Sequence, residues 1–277
     1  MKSKRQDAGG IAPLKKGANL ISDIKGKAEL LLDQFKSVFT KATDNTLPKT
    51  KIQAKTDISP IKIEQKDLEK LLRQVNPNKA SGPDIIPNRI LKECAEPIAP
   101  ILQTILQQSL DTGDLPKDWR DANISSIFTK GDKHLPENYR HVSLTSVTSK
   151  ILEHIICRHM LKHLEKNKIL TNLNHGFRSG YSCETQLLTT INDFLQEHDI
   201  GHQIDVAILD FSKAFDTVPH SKLLHNVHQY GIKGKIHKWL ANFLTARSMP
   251  TIVEGETPVD LRVPQGTVLG QYYSSAT

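Results

Sequence analysis

No run of apolar residues in this 277-residue chain approaches the ~18 that a membrane-spanning helix requires, so no membrane span is expected. The N-terminus, MKSKRQDAGG, is basic but has no apolar stretch behind it, which argues against a secretory signal. Cysteine is scarce: Cys94, Cys157 and Cys183 are odd in number and far apart. They make neither a metal-type pair nor a disulfide framework, and the reading is an intracellular protein of nucleus or cytoplasm. No internal repeat is visible, which argues against solenoids. Apolar residues are not lacking, at 38% of the chain and in periodic blocks, so wholesale disorder is excluded.

Charge is unevenly spread. The formal net is +7, and residues 1–56 hold 12 Lys/Arg against 5 Asp/Glu, which accounts for all of it. A basic leading segment suits either a phosphate backbone, through counterion release, or a solvated linker.

Apolar spacing predicts helices over about 23–39, around Leu68–Val75, and from near Pro97 with Ile98, Ile101, Leu102, Ile105 and Leu106 as one face. Further helices are predicted over 146–164, 183–196, 221–230 and 236–244. Between the first two, KATDNTLPKTKIQAKTDISP is polar and proline-bounded and reads as a linker. Asn76-Pro77 stops the second helix, Gly82-Pro83-Asp84 forces a turn, and Pro87 can open a new helix. Strands are predicted at Asn123–Phe128, at Ile204–Leu209 and, near the C-terminus, around 251–253 and 261–263. The class is mixed α/β, helix-rich, with a small sheet near the C-terminal end.

The strongest chemical feature is VAILDFSKAFDTVPH, residues 206–220. A short apolar strand delivers Asp210 at its carboxyl end, where a carboxylate can meet a hard divalent cation. Read alone, such an aspartate also serves as a turn former. His159 and His163 share a helix face at i, i+4, a zinc-type spacing, but no carboxylate or cysteine completes a site and zinc is rejected.

The 206–220 string resembles motif A of reverse transcriptases of LINE-type non-LTR retrotransposons. Upstream, ASGPDIIPNRILKECA, the block from LPKDWRDANISSIFTKGDK to LTSVTSKILEHI, and NHGFRSGYSCETQLL resemble the finger-region blocks of those enzymes in order. Downstream, WLANFLTARSMPTIVEG and VPQGTVLG resemble the stretch leading into motif B. The resemblance implies a right-hand polymerase: a basic connector with one amphipathic helix over 1–60, fingers over 61–200, and a partial palm over 201–277, without a thumb.

It also implies roles. Asp210 would be a catalytic metal ligand, assisted by the main-chain carbonyl of Phe211. Phe215 would lie under the incoming sugar; read without the family, it is a core aromatic. Arg140 would meet the triphosphate, as its planar fork suits, and Lys130 is a second phosphate candidate. Gln265 and Gly266 would lie near the nascent base pair. Asp216 has no metal role by this resemblance. Arg178 and Lys213 could touch template backbone, though a solvated charge is the better default for each. The chain departs from the family at Thr129, where a lysine is common, and at His141, where proline is usual. Implied partners are RNA template, DNA primer and dNTP, with two Mg2+ ions in the intact enzyme. The family's Asp-Asp hairpin has no counterpart: no adjacent Asp-Asp pair occurs in the sequence. Asp205, five residues before Asp210, falls on the opposite face of a strand. The expectation is therefore an RNA-directed DNA polymerase fragment, inactive alone. The alternative is a non-catalytic remnant that binds RNA or single strands.

Overall fold

Helical periodicity and proline placement account for most of the architecture. The structure, a computed structural model, describes residues 10–37, 53–209, 218–245 and 251–252. A short hairpin comes first, β1 (Leu14–Lys16) and β2 (Asn19–Ile21), followed by α1 (Ile24–Ser37). Next come α2 (Gln65–Arg73), α3 (Asn88–Glu93), α4 (Ala95–Thr112) and the single turn α5 (Lys117–Arg120). The antiparallel pair β3 (Ala122–Phe128) and β4 (Tyr139–Thr145) leads into α6 (Val147–Lys166), then α7 (Cys183–Asp199), α8 (His220–Gln229), α9 (Gly234–Thr245) and β5 (Thr251–Ile252).

Two apolar cores result. The larger gathers α2, α4, α6, α8 and α9 around Leu72, Leu106, Leu152, Ile156, Leu223 and Trp239. Trp239 is fully buried, stacks on Phe243 at 5.0 Å between centroids and donates its indole N–H to Ser109 Oγ at 3.1 Å. Along the same helix, Lys238 Nζ and Asn242 Nδ2 donate to the carbonyls of Thr112 and Gly113, so α9 satisfies the orphan end of α4. The smaller core sets Leu14, Ala28, Leu31, Leu32 and Phe35 against Ala122, Ile124 and Tyr139, which places α1 across one face of the β3–β4 pair.

Several expectations are corrected. On α4 the buried stripe is Ala95, Ala99, Leu102, Leu106 and Leu110, while Ile101 and Ile105 face outward. Two neighbouring apolar stripes exist in the sequence, and packing on α2 selects the one containing alanine, which lets the helices approach closely. The described part of the expected linker, 53–60, is pinned: Ala54 N donates to Gln229 O and Ile58 N to Gly231 O at 2.8 Å. Gln107 then holds the continuation at Ile61 and Ile63, both buried. Gly231 permits this contact, having φ +79° and only 2.5 Å between a notional Cβ and Thr56 O.

The sheet joins two strands from the middle of the chain to one at Thr251–Ile252, where the sequence also predicts a strand. Its order is β4-β3-β5, with β3 and β4 in register from Ala122↔Thr145 to Phe128↔Tyr139 and β5 parallel to β3. Sequence pattern had missed β4, because Ser143 and Thr145 occupy its inward positions and erase the apolar alternation. The predicted strand at 204–209 forms no ladder among the described residues, and Ile208 and Leu209 are exposed. The strand expected at 261–263 lies outside the described residues.

Ile85 has φ +55° while 81% of its surface is exposed, a left-handed conformation that a β-branched residue adopts only under strain. Ile85→Gly is expected to stabilise the fold by about 1 kcal/mol, the left-handed cost less the added freedom of glycine in the unfolded chain. Thermal unfolding of the two proteins checks this, and a lower Tm for the glycine variant would contradict it.

Candidate functional site

Period two along β4 sets the geometry of the site. Tyr139 and His141 face α1: Tyr139 is buried, and the His141 ring lies 4.9 Å from that of Phe35. Arg140, between them, must therefore leave the opposite face, where it is exposed and pairs across the ladder with Ile127. Val142 and Leu144 share that outward face. A proline at 141 would give up the ring contact with Phe35 that histidine makes.

The β3–β4 connection is a tied loop. Thr129 donates twice to Asn138 O, from its amide at 2.9 Å and its hydroxyl at 2.7 Å. Threonine at 129 thus closes the loop, a bond that lysine could not supply from its side chain. Asn138 Nδ2 donates to Asp132 O at 3.0 Å, and the Tyr139 hydroxyl donates to Lys133 O at 2.8 Å. Gly131 has φ +90°, and a Cβ there would lie 2.7 Å from Asn138 Nδ2.

Lys130 is exposed on this loop, and Lys133 holds its ammonium 5.6 Å from the centroid of Phe128. The structure thus puts Lys130, Lys133 and Arg140 on one hairpin, and no ion pair holds any of the three among the described residues. Lys133 was missed by sequence reading, since one lysine in a polar loop carries no distinguishing signal.

Asp210, Phe211, Lys213, Phe215, Asp216, Gln265 and Gly266 lie outside the described residues. Arg178 is not a solvated charge. Its side chain is 8% exposed, it donates from Nη1 to Thr171 O and Asn174 O, and it lies 4.3 Å over the Tyr181 ring. His163 Nε2 donates to Tyr230 O at 2.7 Å and His159 Nδ1 to Ile155 O, so each histidine has a structural use. Burial and the neighbouring Glu153 carboxyl push the Cys157 thiol far above its ordinary range, which makes it inert packing. Among the described residues no group of three or more His, Cys, Asp or Glu could hold a metal, and no helix is long and apolar enough to cross a membrane.

The family described as Reverse transcriptase (RNA-dependent DNA polymerase) matches residues 128–276. The RNA-directed DNA polymerase from mobile element jockey of Drosophila melanogaster is 28% identical over 223 residues, covering 79% of this chain and 24% of the relative. The jockey protein of Drosophila funebris is 26% identical over 226 residues, covering 80% and 24%. The transposon BS protein of Drosophila melanogaster is 28% identical over 256 residues, covering 87% and 27%. The chain thus spans about a quarter of the length of these relatives.

Asp132 accepts from Lys15 Nζ at 2.9 Å and from the His134 amide, and these bonds, the lysine's first, hold its carboxyl below the ordinary 3.8. A carboxyl lowered on folding contributes order above its ordinary value, and loses it as pH falls through the lowered one. A carboxyl-carbon NMR titration should place Asp132 below 3.8, and Lys15→Met should shift it upward. An unchanged midpoint in that variant would contradict the assignment.

Proposed function

The chain belongs to the reverse transcriptase family, with LINE-type non-LTR retrotransposon polymerases as its relatives, and on that premise we propose that it forms the fingers and part of the palm of such an enzyme. In the intact parent the reaction is extension of a DNA primer on an RNA template by nucleotidyl transfer from dNTP. The observation that carries the reading is Arg140. Period two directs its guanidinium away from α1, onto the open face of a hairpin whose other face is closed, and no acid pairs with it among the described residues. A planar cation left unpaired on the same hairpin as Lys130 suits the oxygens of a triphosphate.

We assign Arg140 to the triphosphate and Lys130 to a supporting phosphate contact. Asp210 and the Phe211 carbonyl are assigned to metal binding, Phe215 to the sugar, and Gln265 with Gly266 to the nascent pair, all from the family pattern. Reverse transcriptases work with divalent metal ions, and magnesium is the ion we assign. The described residues do not themselves make a metal site, so no step is derived through the metal. What this chain's own described residues supply is orientation: the tied loop and the α1-backed strand fix two cations relative to one another before a nucleotide arrives.

The RNA-holding alternative rests on the N-terminal lysines together with the finger arginines. Of those lysines described, Lys15 is paired with Asp132 and Lys27 is buried, donating to Ile11 O, while Lys16, Lys25, Lys36 and Lys55 are exposed.

Arg140→Ala should weaken binding of a magnesium dNTP about tenfold, the worth of one charge-assisted contact, ~1.5 kcal/mol. Arg140→Lys should recover part of it. Calorimetric titration measures both, and equal affinity for parent and alanine variant would overturn the assignment. Because the sequence holds no adjacent Asp-Asp pair, these 277 residues alone are expected to incorporate no dNTP on a primed RNA template. Incorporation that Asp210→Asn abolishes would refute this.

A further inference from the structure

The N-terminal hairpin, which sequence reading treated as part of a connector, is bolted to the phosphate-facing loop. Lys15 N donates to His134 O at 2.8 Å, and Lys15 Nζ donates to Asp132 Oδ2 at 2.9 Å. The carbonyl of Pro13 accepts from His134 Nδ1 at 2.6 Å. On the other side the same segment is anchored in the smaller core, with Leu14 fully buried and Lys27 Nζ donating to Ile11 O at 2.9 Å. One short strand thus joins the α1-backed core to the loop that carries Lys130 and feeds Arg140.

The Lys15–Asp132 pair also solves an electrostatic problem. Asp132 is a carboxylate two residues from Lys130, on a loop meant to meet a polyanion. Left uncompensated, it would repel phosphate oxygens and compete for the nearby cations. Lys15 comes from a distant part of the chain and offsets it, while Lys130, Lys133 and Arg140 remain without ion pairs among the described residues. The pair is half exposed, at 44% and 38%, so its worth to global stability is small. Its consequence is local: where the loop sits and what charge it shows.

We propose that Lys15 is a positioning residue for nucleotide binding: through Asp132 and His134 it holds the 129–138 loop in place and neutralises the loop's own acid, so that Lys130 and Arg140 face the triphosphate together. This rests on the assignment of Arg140 and Lys130 to phosphate made above. It extends the nucleotide-binding unit to residues 10–37, far from motif A in sequence.

The test is titration of inorganic tripolyphosphate into the full chain, alongside amide hydrogen exchange of residues 131–138 without ligand. Lys15→Glu should weaken tripolyphosphate binding about fivefold and speed exchange in the loop, with Tm nearly unchanged, as befits an exposed pair. Lys15→Glu combined with Asp132→Lys reverses the pair's polarity, and should restore both loop protection and affinity. Lys16→Glu makes the same charge change one residue away, on an exposed lysine with no described contact to the loop, and should leave exchange at the parent level. Equal losses for Lys15→Glu and Lys16→Glu, or no rescue by the reversed pair, would overturn the proposal while leaving the phosphate assignment standing. Failure of the parent to bind tripolyphosphate, with Arg140→Ala indistinguishable from it, would overturn that assignment and this inference together.

Discussion

The two-residue repeat of one antiparallel pair governs the working part of this molecule. Because β3 and β4 are fully paired from Ala122↔Thr145 to Phe128↔Tyr139, every side chain on them has its direction fixed. Packing α1 on one face commits Ala122, Ile124, Tyr139 and His141 inward, and by the same stroke commits Ile127, Arg140 and Val142 outward. A register slip of one residue would bury Arg140 beneath Leu31 and Phe35. Burying a guanidinium there without a partner is costly, so the apolar face of α1 protects the register that exposes the arginine.

The larger core stabilises this hairpin from the other end. Thr145 leads directly into Ser146, which caps α6, and α6 is buried on most of its surface among α2, α8 and α9. The 53–63 strap crosses both α4 and the α8–α9 turn, holding together helices that are distant in sequence. Rigidity around β4 is therefore inherited from helical packing rather than from the small sheet. Where that packing stops, apolar surface remains uncovered: α7 has no buried residue, and Leu187, Leu188, Ile191 and Leu195 are all more than half exposed. Val206, Ile208 and Leu209 in the segment 204–209 are exposed as well.

Much of the local structure could be read directly. Helices α1, α2, α6, α8 and α9 fall where apolar spacing places them, and Pro87 and Gly113 mark helix ends as their chemistry requires. Motif order along the chain also pointed to the family that residues 128–276 match. Less legible was anything that depends on which of two candidate surfaces is covered. Ile101 and Ile105 looked as buriable as Leu102 and Leu106, and only the presence of α2 separates them. β4 was invisible because Ser143 and Thr145 sit where apolar residues would have announced a strand. The 204–209 run showed the reverse error, since composition promised a strand that has no described partner.

Sequence by itself determined the helices, the turns and the set of residues able to meet phosphate, because propensity, capping and charge are properties of short stretches. Tertiary structure alone decided that Lys15 and Asp132, 117 residues apart, form one pair. It also decided that Arg178 pins a loop while Arg140 remains open to solvent. A side chain's charge is written in the chain, but whether that charge is paired, buried or free depends on what folding brings against it.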